Sequence, residues 1–244
     1  MERDFDAIFI GIGLGATDDL HIPGEDLEGC RDALSFIEET KSKAFAEVQI
    51  ARRIAVIGGG NTAIDVVTAA RRLGAEEVYM VYRRGPEEMS AFDYEYELAK
   101  KDTVAFCWQA LPARIIDDGH GRVAGLECVR TEKGPKEARG RDSFVPVPGT
   151  EFQLEVGMVV KALGQKRKTD FLQQIIKLEL KNGCVVVDAA TMRTSNPTYY
   201  AGGDCVNGGG EVVDAVAHGK KAAVGIHQAL EVQKGRRAHA GSKH

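Results

Sequence analysis

Ile54-Ala-Val-Ile57 is an apolar run that stops at Gly58-Gly59-Gly60, and Asn61-Thr62-Ala63-Ile64-Asp65 opens a helical pattern at once. Residue types at this spacing suit one task, the holding of a pyrophosphate on backbone amides. Gly58 permits a tight turn, and Gly60 lets the backbone approach phosphates. Ala63 replaces the third glycine of a Gly-x-Gly-x-x-Gly fingerprint, where helix meets strand. The amides of Asn61, Thr62 and Ala63 would then face the phosphates from the helix N-terminus. A glycine turn that binds nothing is the alternative, so the surroundings decide. Residues 62–73 read as a helix ending at Gly74, a residue suited to a left-handed cap. Glu77-Val-Tyr-Met-Val-Tyr82 follows as a strand, completing a βαβ unit of about 30 residues.

Arg83 and Arg84 come next. A carboxylate here would hold a ribose 2′-hydroxyl, whereas guanidinium groups suit a 2′-phosphate. The pair favours NADP(H) over NAD(H). The alternative is that both are solvated or paired with Glu87 and Glu88.

Other strand ends carry glycine too. Residues 6–10 form an apolar run leading to Gly11-Ile-Gly13-Leu-Gly15, but no amphipathic helix follows before Pro23. A fingerprint must open a helix, so these glycines read as a close approach of backbone to a cofactor or another segment. Residues 157–165 read as a buried strand ending at Ala162-Leu163-Gly164, and such carboxyl ends line the ligand crevice of open α/β sheets. Lys166, Arg167 and Lys168 either steer phosphate or form a solvated run. Further on, Gly203-Asp204 ends a strand, and glycines 208–210 lead into a helix over 211–230. That arrangement offers a carboxylate to sugar-like hydroxyls and a positive helix end to an anion such as that near N1 and O2 of a flavin. A helix cap that binds nothing is the alternative.

No side chain is assigned a catalytic role. His120 falls in a glycine turn and reads as solvated. The five cysteines include no Cys-x-x-Cys pair, so neither a disulfide framework nor a metal site is indicated.

The elements that must position these residues come from a chain of 244 residues, enough for one large or two small domains. The net charge of -4 argues against nucleic acid or anionic membrane as a general partner. No apolar run reaches the roughly 18 residues of a membrane span. Met1-Glu-Arg-Asp is acidic and unlike a signal peptide, which suits a cytoplasmic protein. Residues 32–45 and 91–101 read as helices and 104–108 as a strand. Residues 113–117 and 122–130 read as an antiparallel hairpin, 131–148 as a charged loop and 151–155 as a third strand of the meander. Residues 185–188 and 197–201 read as strands.

Taken together, Gly58-Gly-Gly-Asn-Thr-Ala-Ile-Asp65, Tyr82-Arg83-Arg84, Ala162-Leu-Gly-Gln165 and Ala201-Gly-Gly-Asp204 resemble the two-dinucleotide-binding flavoproteins of the glutamate synthase small-subunit group. Phe9 to Gly15, Ile22 to Asp26 and Glu95 to Lys100 are most similar to the flavin-bearing portion of dihydropyrimidine dehydrogenase. The resemblance implies an α/β fold: a Rossmann-like NAD(P)-binding domain at 34–163 with an antiparallel meander insert. It would lie between pieces of an incomplete FAD-binding Rossmann-like domain at 1–33 and 164–244. Gly58, Gly59, Gly60, Asn61, Thr62 and Ala63 would hold the nicotinamide nucleotide's pyrophosphate, with Arg83 and Arg84 by its 2′ position. Gly203 and Asp204 would touch FAD, with Val212 and Val213 near the flavin ring. Gly11, Gly13, Ala162 and Gly164 would lie along the crevice, and residues 11–15 would meet 203–210.

The function so implied is electron transfer from NAD(P)H through FAD to iron-sulfur centres or a partner subunit, in pyrimidine reduction or glutamate synthesis. In the family an iron-sulfur domain and a first FAD fingerprint precede the region seen here. The chain therefore also reads as a nucleotide-binding module that does not retain FAD or catalyse alone.

Overall fold

The computed structural model describes residues 4–136 and 142–241. In chain order its first elements are β1 (Ile8–Ile10), β2 (Cys30–Asp32), α1 (Ala33–Ser42), β3 (Arg53–Ile57), α2 (Asn61–Arg72) and β4 (Glu77–Tyr82). Next come α3 (Asp93–Lys101), β5 (Ala105–Trp108), β6 (Ala110–Asp117), β7 (Val123–Lys136), β8 (Asp142–Pro146), β9 (Phe152–Leu154) and β10 (Met158–Lys161). The last are α4 (Thr169–Leu172), β11 (Leu180–Lys181), β12 (Cys184–Val185), β13 (Tyr199–Ala201), α5 (Asp204–Asn207) and α6 (Val212–Gly241). The chain folds as two compact units, one of residues 17–164 and one formed by the segments before and after them.

The 17–164 unit is organised by a parallel five-stranded sheet in the order β2-β10-β3-β4-β5. β3 is central because it is apolar on both faces, as a parallel sheet covered on both sides requires. Ile54 and Val56 pack with Phe36 of α1, Ile64 and Val67 of α2 and Ala99 of α3. Ala55 and Ile57 face the other way, against Ile115 of β6 and Leu126 of β7. The helices thus cover one face of the sheet, and the meander covers the other.

Each end of the helices has a local cause. The Asp32 carboxylate caps α1, accepting from the amides of Leu34 at 2.8 Å and Ser35 at 3.1 Å. α2 begins at Gly60, which has no side chain to cap it, and Gly74 just beyond its end sits at φ 102°. Arg71 then donates to the carbonyls of Ala75, Glu76 and Asp102, fixing the turn into β4.

Three expectations need correction here. Residues 131–136 and 142–146 are not loop: β7 continues to Lys136 and pairs with β8, with Thr131 opposite Pro146 and Lys133 opposite Phe144. Their charges hid the pattern, because a hairpin that buries little beyond Thr131 carries little apolar alternation. Residues 147 and 148 are loop, and residues 137–141 lie outside the described residues. Residues 185–188 are strand only at Val185, and Val187 makes a single bridge to Thr194. Residues 17–33 pack in the unit with 34–164, because β2 pairs with β10.

In the other unit β1 pairs in parallel with β13, Ile10 opposite Ala201. The Gly202 amide donates to the Ile10 carbonyl at 3.1 Å. The segments following these two strands meet as expected, for a side chain added at Gly209 would come 3.7 Å from Leu14. α6 packs on this pair through Ala222 and through Gly225, where any Cβ would press on Thr191. Cys205 is buried beside the Ile10 and Gly202 carbonyls, and burial pushes its thiol up, away from the reactive thiolate.

Candidate functional site

A cleft of about 560 Å³ opens at the carboxyl ends of β3, β4 and β10. Gly58, Gly59, Gly60 and Thr62 line it from the turn and α2, Arg83 and Arg84 from beyond β4, and Ala162, Leu163 and Gly164 from beyond β10. In a second groove, near Gly29 and Gly157, the cations are already paired: Arg31 and Lys43 with Glu39, and Arg122 with Glu28. Chemistry therefore favours the first.

The glycine turn is built by crowding. Gly58 donates its amide to Val81 at 3.0 Å, at φ 152°, and a Cβ there would collide with the Ala162 carbonyl. At Gly59 a Cβ would lie 2.5 Å from the Tyr82 ring. The Gly59 carbonyl accepts from the amides of Ser90 and Ala91, at 3.0 and 3.3 Å, and so is held by the 90–91 segment. Tyr82 is fixed in turn, its hydroxyl donating to the Glu88 carbonyl at 2.9 Å.

Not all the expected amides remain available. Ala63 donates to the Gly60 carbonyl at 2.9 Å and its side chain is fully buried, so its part is to seat α2 on the sheet. Asn61 braces the site, its Oδ1 accepting from the Phe92 amide at 3.0 Å. The amides of Asn61 and Thr62 stand in the first helical turn, where no intrahelical acceptor exists.

Arg83 and Arg84 are positioned by the meander. The Arg83 carbonyl accepts from the Thr131 hydroxyl at 2.7 Å, and the Arg84 carbonyl from the Gln109 amide at 3.0 Å. The Arg84 guanidinium lies 5.8 Å from the centre of the Phe144 ring. Glu88 does not neutralise them, since it pairs with Lys133 at 2.9 Å and accepts from the Gly85 amide. Among the described residues neither arginine forms an ion pair within 4 Å. Two cations lining one cleft with open helix-start amides fit the phosphates of a dinucleotide.

Sequence reasoning missed the opposite lip, formed by Asp18, Asp19 and Leu20. The Asp18 amide donates to the Gly164 carbonyl at 2.8 Å. Lys161 reaches Glu25 at 2.6 Å and Asp19 at 3.5 Å, while Glu25 also accepts from the amides of Leu20 and His21. No local signal marks this loop, because the network joins residues 136 apart.

Burial alone would raise the Glu25 carboxyl, but Lys161 and the two amides outweigh it, and the group sits below the usual glutamate value of 4.5. A carboxyl favoured in its ionised form by folding contributes stability that is present above that value and lost as pH falls through the lowered one. Glu25→Gln should therefore flatten the loss of stability below pH 4.5, as followed by denaturant unfolding across that range.

The remaining site residues lie in the other unit. Gly11 and Gly13 follow β1, Gly13 at φ 61° with open space where a side chain would stand. Gly203, at φ 72°, donates its amide to His218 Nδ1 at 3.1 Å. The Asp204 carboxylate accepts from the Gly210 amide at 3.1 Å, shaping the approach to α6. Val212 and Val213 are 79% and 66% exposed at its start. Open backbone and a bare apolar helix end fit one side of a flavin, in part. Lys168 donates to the Ile12 carbonyl and Arg167 to Cys184 Sγ, so both are engaged within this unit.

A family model described as pyridine nucleotide-disulphide oxidoreductase matches residues 2–219. The NADP(+)-dependent formate dehydrogenase subunit beta of Moorella thermoacetica is 38% identical over 232 residues, 94% of this chain and 32% of the relative. The glutamate synthase (NADPH) small chain of Escherichia coli K12 is 34% identical over 243 residues, covering 94% and 51%. The chain spans about half the length, or less, of these curated relatives. Mycobacterium tuberculosis FprA, solved in complex with NADPH, superposes with a TM-score of 0.72 at 19% identity, over 96% of this chain and 66% of that one. T. acidophilum thioredoxin reductase gives 0.70 at 21%, over 92% and 66%. At those identities the two structures speak to the fold.

Proposed function

We propose a function from one premise: the chain belongs to the pyridine nucleotide-disulphide oxidoreductase family. It is an NAD(P)H-dependent flavin oxidoreductase module that passes electrons from NADP(H) through FAD to iron-sulfur centres or a partner subunit. The observation that carries this is the cleft in which the Gly58 turn, the start of α2 and two arginines without ion pairs among the described residues converge.

When bound, the nicotinamide and flavin supply the redox chemistry, and the protein supplies binding, orientation and electrostatics. Gly58, Gly59 and Gly60 let the backbone approach the pyrophosphate, and the Asn61 and Thr62 amides donate to it. Arg83 and Arg84 take the 2′-phosphate, while Ala162 and Gly164 form the wall opposite. Ala63 holds α2 in place. Gly11, Gly13, Gly203, Asp204, Val212 and Val213 border the flavin, within FAD-domain segments that flank the nucleotide-binding domain. The names of the two curated relatives, one a beta subunit and one a small chain, support a partner subunit. A pyrimidine or glutamate synthase type of final acceptor rests on the sequence resemblance.

A second reading is favoured by the cleft's lying wholly within residues 17–164. On it the chain binds NADP(H) but retains no FAD. An absorbance scan of the purified chain separates the two. Stoichiometric flavin that bleaches on anaerobic addition of NADPH fits the oxidoreductase, and a colourless chain that still binds NADPH fits the module.

A further inference from the structure

We propose that Asp18 makes the cleft distinguish the oxidised from the reduced nicotinamide, favouring NADP⁺ over NADPH. The inference rests on the reading of this cleft as an NADP(H) site. Sheet order sets the direction of the ligand. The Gly58 turn follows β3, Arg83 and Arg84 follow its neighbour β4, and Gly164 follows its other neighbour β10. A dinucleotide lies across such strand ends with its pyrophosphate at the helix N-terminus and one nucleoside to either side. With the 2′-phosphate on the arginines, the nicotinamide falls on the β10 side.

There the chain presents Asp18. Its amide donates to the Gly164 carbonyl, and its Oδ2 lies 3.9 Å from where a Gly164 Cβ would stand, so the carboxylate lines the cleft at the end of β10. Asp19 beside it is answered by Lys161, whereas Asp18 forms no ion pair among the described residues. The oxidised nicotinamide ring carries a positive charge that the reduced ring lacks, and the two ligands otherwise present the same groups. A carboxylate beside the ring therefore adds affinity for one form only. Because Asp18 is exposed, the effect is that of a screened surface pair, about two- to fivefold.

The test is calorimetric titration of the full chain and its Asp18→Asn variant with NADP⁺ and with NADPH, at low and high salt. Asp18→Asn should weaken NADP⁺ about two- to fivefold and leave NADPH unchanged, with the difference shrinking as salt rises. Equal weakening of both forms, or of neither, overturns the proposal. A wild-type chain that binds neither form overturns the reading of the cleft itself, which distinguishes that failure from this one.

Discussion

Arg83→Ala/Arg84→Ala is expected to weaken NADPH binding by roughly 10- to 100-fold while leaving NADH within about twofold, as charge-assisted hydrogen bonds worth about 1.5–3 kcal/mol are lost. The asymmetry follows from position. Both arginines line the cleft just beyond β4, where Glu88 is occupied by Lys133 and Gly85, and neither has an ion pair among the described residues. NADH offers no 2′-phosphate, so it has nothing to lose there. Calorimetry of the double variant with each nucleotide checks this, and equal loss for both would move the arginines from specificity to general electrostatics. Lysine should restore only part of the affinity, since an ammonium lacks the planar fork.

Gly58→Ala is expected to cost about 1–3 kcal/mol of stability and to abolish measurable nucleotide binding. The added methyl has no free direction, because it meets the Ala162 carbonyl, and the Ala162 amide already donates to Ile57 at 2.8 Å. Relief requires β3 and β10 to part at the end that forms the cleft. Gly119→Ala is the control. Gly119 also has a positive φ, 88°, but faces open space in the β6–β7 turn. Its variant should lose some stability through backbone strain and bind nucleotide as the wild type does. Thermal unfolding with and without NADPH separates the two, and a Gly58→Ala chain with unchanged binding would refute the crowded-turn account.

Much of this arrangement was legible in sequence because it is local. The run at 54–57, the glycines, the helix of α2 and the stop at Gly74 all declare themselves within a few residues through periodicity and backbone freedom. Arg83 and Arg84 were legible by their place after β4. What holds them was not. Thr131, Phe144 and Lys133 reach the site from a hairpin whose charged residues read as loop. Asp18 and Asp19 enter through hydrogen bonds to Gly164 and Lys161, far along the chain. Ala63 shows a subtler limit: its type and spacing indicate a helix seated on a strand, but nothing local indicates that its amide bonds to the Gly60 carbonyl. Long-range partners leave no period in a single sequence.

The central claim is that the Gly58 cleft holds NADP(H) by its 2′-phosphate. Calorimetric titration of the wild-type chain with NADPH and NADH tests it most directly. One NADPH per chain, bound roughly tenfold or more tighter than NADH, is the result expected from charge-assisted contacts to that phosphate. Equal weak binding of the two nucleotides, or binding of neither, would contradict it.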